Sequence, residues 1–389
     1  MNAVLAAPFT SAPVADRLAA LFDAGSDSLL PAESGLRLAR ATVAGRPVLA
    51  VATDPALDKG VLGSAECADL RRMVRRARQT QTPLVLLIDS AGARLDAGLA
   101  IQGALRALMT ELLDASLAGL PMIALLGRNV FGGASMLAFA ASQRCYAPDT
   151  VLAMSGPRVL ESAGGGSLAA VRDAIGGLAR CRHGGAERLL DDSLPAYAAA
   201  LRDWVQELPT GPLPDTLDEE RRMLGLRLGE TAPPPTARFA GRPEQGTLRC
   251  GGRACVGAAD ALQFAALVEQ TQTPLELWID CAGHSLHLGD ENLILSQYLV
   301  HLARSVRRRV HRGQAVRLRI AGEISGGIYI AVAGAASSVD IAPEGSVRTL
   351  PQTSLSSILT RPDAAISNAC AAASDYVELG VADTVSAPV

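Results

Sequence analysis

Lysine is nearly missing from this 389-residue chain: of its 36 basic residues only Lys59 is not an arginine. That scarcity argues against Schiff-base chemistry and against a phosphate-binding P-loop, both of which need a lysine at a set place. Aromatic residues make up 3% and charged residues 19%, against 49% hydrophobic. Such a balance describes a globular protein rich in Ala, Leu and Val rather than a disordered chain. The formal net charge of −3 leaves no electrostatic footprint for nucleic acid or an anionic membrane. The seven cysteines include no CxxC pair, so neither a zinc ribbon nor a thioredoxin-type site is suggested, and they read as reduced, mostly buried thiols. No apolar run reaches the length of a membrane span. The apolar N-terminal start is broken early by Asp16, Arg17 and Asp23 with no basic segment before it, so a cytoplasmic protein is expected. Gly164-Gly-Gly166 follows no predicted strand and forms no GxGxxG; it reads as a loop and gives no support for dinucleotide binding.

What is present is a repeat. Gln79-Thr-Gln-Thr-Pro-Leu-Val-Leu-Leu-Ile-Asp-Ser-Ala-Gly92 returns as Gln270-Thr-Gln-Thr-Pro-Leu-Glu-Leu-Trp-Ile-Asp-Cys-Ala-Gly283. At nearly the same spacing Gly132-Gly133 returns as Gly326-Gly327, and Ala147-Pro148 as Ala342-Pro343. Three landmarks in one order point to two copies of one fold unit. Within each copy a short apolar run (83–89, 274–280) ends in Asp-x-Ala-Gly and reads as a buried strand closed by a turn. A helical stretch follows (99–118, 292–311), then a second apolar run (122–127, 316–322), then the Gly-Gly and a small-residue helix (134–141, 328–335). The chain length exceeds what one core usually holds, so two domains are expected. We place them at 1–215 and 241–389, joined by a proline-rich linker at 216–240 with Asp218-Glu-Glu-Arg-Arg222 inside it.

A glycine pair between a strand and a helix suits a group that develops negative charge. The first N–H groups of a helix lack intrahelical partners, the helix dipole favours an anion there, and glycine allows close approach. Phe131-Gly-Gly-Ala134 and Ser325-Gly-Gly-Ile328 are therefore candidate oxyanion sites. A lone Gly-Gly before a helix is more often a turn or a close helix–sheet contact; recurrence in both copies favours the functional reading.

Asp89-Ser-Ala-Gly-Ala-Arg-Leu95, Phe131-Gly-Gly133 and Met154-Ser-Gly-Pro157 make the N-terminal half resemble the beta subunit of biotin-independent malonate decarboxylase. Ile279-Asp280, Gly283, Ser325-Gly-Gly327 and Ala342-Pro343 make the C-terminal half similar to the gamma subunit. Both resemble the carboxyltransferase halves of acyl-CoA carboxylases. The resemblance, which runs from about residue 12 to 360, implies an α/β fold of two tandem crotonase-like ββα superhelix domains, with an active site where halves or protomers meet. It implies a malonyl thioester on an acyl carrier protein with a CoA-like or phosphopantetheine-type arm, no tightly bound cofactor, and acetyl thioester and carbon dioxide as products. An acyltransferase subunit and a homo-oligomer or multi-subunit complex are implied as partners. Two departures stand out: the beta motif usually has two glycines where this chain has Ala91-Gly92, and the two subunits are normally separate and together longer. A biotin-dependent acyl-CoA carboxyltransferase component and a non-catalytic scaffold are the alternative readings.

Decarboxylation of a malonyl thioester leaves an enolate, so oxyanion donors are needed and a general base is not. On the resemblance, Gly132 and Gly133 are assigned to the thioester oxygen, with Phe131, Ala91, Gly92 and Ala134 around it. Gly326 and Gly327 are assigned to the departing carboxylate, beside Ile328 and Tyr329. The acid that returns a proton is left open among Ser325, Tyr329 and ordered water. Arg94 suits the arm's phosphates or a carboxylate, or is a surface arginine. Asp89 and Asp280 end equivalent strands, where an aspartate usually caps a turn. His284 and His287 lack a third metal ligand, and no metal is expected. Arg304, Arg307, Arg308, Arg309 and Arg312 form a basic run read as a solvated face, or as a dock for an acidic carrier.

Overall fold

The structure is a computed structural model that describes residues 7–182, 186–229, 235, 237–252, 254–271, 274–350 and 372–386. Part of the expected linker (230–234 and 236), positions 272–273 of the second repeat and Cys370 lie outside the described residues. The chain divides into two compact units. The first comprises Met1–Ala93, Ala115–Ala153 and Arg172–Asp215; the second comprises Arg94–Asp114, Met154–Val171 and Thr216–Val389.

In the first unit the strands are β1 (Ser28–Leu30), β2 (Arg37–Val43), β3 (Arg46–Ala52), β4 (Leu84–Ser90), β5 (Met122–Phe131), β6 (Gln143–Tyr146), β7 (Val151–Ala153) and β8 (Glu187–Leu189). They form one sheet in the order β1-β2-β3-β4-β5-β6-β8, with β7 pairing the end of β5. The first two pairings are antiparallel and those from β3 to β8 are parallel. Strand β4 is buried at every position, as a central parallel strand covered on both faces requires. Helices α1 (Val14–Leu21) and α2 (Ser64–Thr80) precede β4, α3 (Ala100–Leu117) follows it, and α4 (Gly133–Ala140) follows β5. Further on come α5 (Pro157–Ser162), α6 (Leu168–Ala174), α7 (Gly177–Arg180) and α8 (Leu194–Glu207). Gly164–Gly166 joins α5 to α6. The core on one sheet face is built from Phe9, Leu18, Val85, Leu125, Tyr197 and Trp204, among others.

The second unit repeats the topology. Its strands are β9 (Arg238–Arg242), β10 (Thr247–Gly251), β11 (Cys255–Val256), β12 (Leu275–Ile279), β13 (Gly283–His284), β14 (Val316–Ile320), β15 (Glu323–Ser325), β16 (Ser338–Ile341), β17 (Ser346–Arg348) and β18 (Thr384–Val385). The main sheet runs β9-β10-β12-β14-β16-β18, antiparallel at β9–β10 and parallel after it. Two small parallel pairs, β11–β13 and β15–β17, stand apart from it. The first unit has their counterparts in the parallel bridge Leu62–Ala93 and in the β5–β7 pairing.

Helices α9 (Leu217–Leu228), α10 (Ala258–Gln270), α11 (Leu288–Asn292), α12 (Leu295–His311) and α13 (Gly326–Ala335) complete the unit, with a short helix at Ala373–Glu378. Two sequence expectations change here. The segment expected as a linker contains α9, because Leu217, Glu220 and Leu224 lie on one helical face and are buried. Glu220 accepts from Gln297 at 3.2 Å and sits 3.1 Å from His301 Nδ1 and 3.3 Å from Arg304. The basic run on α12 is mostly not a solvated face. Arg307 pairs with Asp114 at 2.6 Å, Arg308 with Glu269 at 2.6 Å, and Arg309 donates to the carbonyls of Val268 and Thr271. Arg312 is exposed.

Candidate active site

The strand-end aspartates hold their turns in the same way in both units. Asp89 Oδ1 accepts the Asn129 N–H at 3.2 Å, and Asp280 Oδ1 accepts the Glu323 N–H at 3.0 Å. Gly127 and Gly322 leave room for these carboxylates, since a Cβ at either would overlap one. Asp89 is further held by Arg17 at 3.3 Å, both side chains nearly fully buried, and its N–H donates to Thr53 Oγ1 at 2.7 Å. These contacts make both aspartates turn caps, and they aim β5 and the β14–β15 connection toward the glycine pairs.

In the first unit β5 ends at Phe131 and α4 begins at Gly133. Gly132 joins them at φ 58°, in the left-handed region that favours glycine. Its carbonyl starts the helix by accepting from Ser135 and Met136. Its N–H is already engaged, donating to Ala153 O at 3.2 Å. Of the pair assigned to the thioester oxygen, Gly132 is therefore the hinge rather than a donor. Gly133 and Ala134 carry the first two N–H groups of α4, and among the described residues neither has an acceptor. Gly92 packs on this corner: a Cβ there would lie 3.2 Å from Phe131 O. Ala91 is exposed beside it, with its N–H on Lys59 O at 3.1 Å. The fold thus gathers Ala91, Gly92, Phe131, Gly132, Gly133 and Ala134 in one place.

In the second unit Gly326 takes the matching backbone turn, at φ 59°, but the next amide has a partner. The Gly327 N–H donates to Nδ1 of His284 at 3.1 Å. His284 stands at the end of β13, is 1% exposed, and burial pushes its pKa down to about 4. It is neutral at pH 7, and a neutral ring that accepts at Nδ1 carries its proton on Nε2. That Nε2 lies 3.1 Å from Ser155 Oγ. Ser155 is fixed in turn by Glu291, fully buried on α11, whose carboxylate accepts the Ser155 N–H at 2.8 Å and the Met154 N–H at 3.2 Å.

The remaining candidates divide. Ser325 Oγ donates to Ala282 O at 2.6 Å, and the Tyr329 hydroxyl donates to Val381 O at 2.8 Å, with burial pushing its pKa well up. Both hydroxyls anchor main chain and neither is poised as an acid. Ile328 is buried on α13. Arg94 is half-buried ahead of a short turn at Leu95–Ala97. His284 is buried while His287 is exposed, and among the described residues no group of three or more His, Cys, Asp or Glu side chains could hold a metal. Among the described residues, no helix is long and apolar enough to cross a membrane. Ser155 and Glu291 were missed because their partners lie more than a hundred residues away in sequence. The available signal for His284 was that it replaces Ala93 in the otherwise matching Asp-x-Ala-Gly turn.

Comparison with known proteins agrees with this geometry. The carboxyl transferase domain model matches residues 17–237, more than half of the chain. The chain belongs to the carboxyl transferase domain family, and its two topologically matched sheets carry the tandem crotonase-like α/β fold. It is similar to the carboxyl transferase subunit beta of acetyl-coenzyme A carboxylase from Sorangium cellulosum, 29% identical over 148 residues, which is 38% of this chain and 50% of that protein. The Salinibacter ruber subunit is 28% identical over 163 residues, covering 40% and 54% respectively. The chain thus spans about half the length of the curated relatives it matches. Among solved structures it is similar to the MdcD–MdcE heterodimer of a Pseudomonas malonate decarboxylase, with TM-score 0.49 and 25% identity over 58% of this chain and all of that one. It is also similar to the transcarboxylase 12S hexamer, with TM-score 0.46 and 17% identity over 97% and 87%.

Proposed function

We propose that this chain acts on acyl thioesters and decarboxylates a malonyl thioester to the acetyl thioester and carbon dioxide. The observation that carries the reading is the start of α4, where Gly133 and Ala134 present adjacent N–H groups without an acceptor behind a glycine held at φ 58°. Two such donors suit a thioester oxygen that gains charge as the carboxylate leaves. They act from a fixed backbone, so no reorganisation is required when charge develops. The substrate in this reading is carried on a CoA-like or phosphopantetheine-type arm, no tightly bound cofactor takes part, and an acyl carrier protein and an acyltransferase subunit are the partners of a larger assembly in the cytoplasm. Gly326, assigned to the departing carboxylate, keeps that assignment in the proposal; Gly327 does not, because His284 receives its N–H.

A second reading draws on the carboxyl transferase subunits among the relatives: transfer of a carboxyl group between a biotin carrier and an acyl-CoA. One experiment separates the two. Pure protein is incubated with malonyl-CoA, and in parallel with malonyl-acyl carrier protein, without biotin, and the thioesters are weighed by mass spectrometry. Acetyl thioester appearing in step with carbon dioxide supports the decarboxylase. Turnover only after a biotin carrier is added supports the carboxyltransferase and ends the first reading.

A further inference from the structure

Resting on the decarboxylase reading, we propose that Ser155 is the acid that returns a proton to the enolate carbon, with His284 and Glu291 as its positioning residues. A serine 3.1 Å from a histidine invites comparison with the nucleophile of a hydrolase, in which the imidazole accepts the hydroxyl proton. Here the backbone forbids that role. The Gly327 N–H points at Nδ1 from 3.1 Å, so Nδ1 must offer its lone pair and the ring proton sits on Nε2. His284 then donates to Ser155 Oγ and cannot take its proton. An oxygen that accepts from one N–H becomes a better donor of its own hydrogen. Glu291 occupies the N–H groups of Met154 and Ser155, and among the described residues no acceptor faces the Ser155 hydroxyl hydrogen. Space is available beside it: a Cβ built on Gly156, the next residue, would meet nothing within 4 Å.

The step balances. The bond between the carboxylate carbon and the α-carbon breaks, carbon dioxide leaves, and the electron pair passes into the enolate. A new C–H bond then forms at the α-carbon with the Ser155 hydroxyl proton. That transfer runs downhill, since a hydroxyl is a far stronger acid than the C–H of an acetyl thioester. The alkoxide left on Ser155 is held by the Nε2–H of His284 until it takes a proton from water, which leaves hydroxide as the final base. Ser325 and Tyr329 cannot compete, because each already donates to a main-chain carbonyl.

The test uses the full chain and malonyl-CoA. Ser155→Ala is expected to lower kcat about 100-fold, the lower end for loss of a general acid, with KM little changed and part of the rate restored by Ser155→Thr. His284→Asn keeps an acceptor for the Gly327 N–H but removes the donor to Ser155, and is expected to lower kcat by a smaller factor, also without a change in KM. Wild-type kcat in Ser155→Ala overturns the assignment while leaving the decarboxylase reading intact. If the wild-type chain makes no acetyl-CoA, the decarboxylase reading has failed and the proton-return role falls with it. An arm independent of turnover is nitrogen NMR of the chain labelled at its five histidines. His284 is expected as the neutral Nε2–H tautomer at pH 7, and an Nδ1–H tautomer overturns the role of Ser155 whatever the turnover.

Discussion

The starts of α4 and α13 are the same turn in two copies, and they have come to different ends. Gly132 and Gly326 share a left-handed backbone at φ 58° and 59°, each following a strand aimed by an aspartate over a glycine. Past that point, α4 offers the N–H groups of Gly133 and Ala134 to whatever arrives, whereas at α13 the Gly327 N–H is taken by an imidazole. One residue makes the difference: the turn after β4 continues with Ala93, and the turn after β12 continues with His284. A duplicated backbone can therefore keep an oxyanion site in one copy and convert the other into the support of a hydroxyl donor, without altering the fold of either.

The largest expected effect comes from deleting donors at the two helix starts. Gly133→Pro removes one N–H where proline is tolerated, at the first helical position. Turnover of malonyl-CoA is expected to fall by a factor equivalent to about 2.7–4 kcal/mol of barrier, read from kcat/KM. Gly327→Pro removes the bond to His284 instead and leaves a buried ring nitrogen without its donor. Its first effect is a loss of stability of about 1–3 kcal/mol, read by urea unfolding and added to by the Met154 sulfur, which lies 2.7 Å from a Cβ at that position. Equal behaviour of the two variants would break the comparison.

Next in size is a pH effect confined to the second unit. His284 is held neutral by burial at about 4 against an ordinary 6.5, so the unfolded chain binds this proton at higher pH than the folded one. Stability is therefore expected to decline as pH falls from 6.5 toward 4, by about 3 kcal/mol at most, and this contribution to level off below 4. Melting temperatures across that range should show the slope in wild type and its loss in His284→Asn. A second acid-sensitive group sharpens the reading at lower pH. Burial alone would raise the Glu220 carboxyl, but Arg304, His301 and Gln297 outweigh it and hold it at about 2. Its stabilisation is present above its ordinary 4.5 and is lost as pH falls through 2, below the window of His284.

The smallest effect tests the shared turn itself. Gly132→Ala places a side chain in the left-handed region and is expected to cost about 1–2 kcal/mol. Gly326→Ala carries the same strain and also brings its Cβ to 2.6 Å from His284 Nδ1. The second should be the more damaging by thermal melting.

The duplication was legible in the sequence because it is written in local signals: apolar runs closed by Asp-x-Ala-Gly, a Gly-Gly before a small-residue helix, and constant spacing between them. These gave β4, β12, β14, α3, α4 and α13 within a few residues of their observed bounds. What stayed hidden depends on pairs far apart in sequence. Arg17 finds Asp89, Glu220 finds His301 and Arg304, and Glu291 finds the backbone at Ser155. Nothing local marks Glu220 in a charged stretch as buried, and the linker expectation failed there for that reason. At the site itself, the sequence located the glycine pairs but could not say which amides the fold would occupy. That depended on Ala153 and His284 reaching Gly132 and Gly327.

The most direct test is the response of four backbone amides to acetyl-CoA, followed by proton–nitrogen NMR of the full chain. The account predicts that the Gly133 and Ala134 resonances move downfield on binding, as they gain an acceptor. Those of Gly132 and Gly327, which already have one, should shift far less. Binding that moves other resonances but leaves Gly133 and Ala134 in place would contradict it.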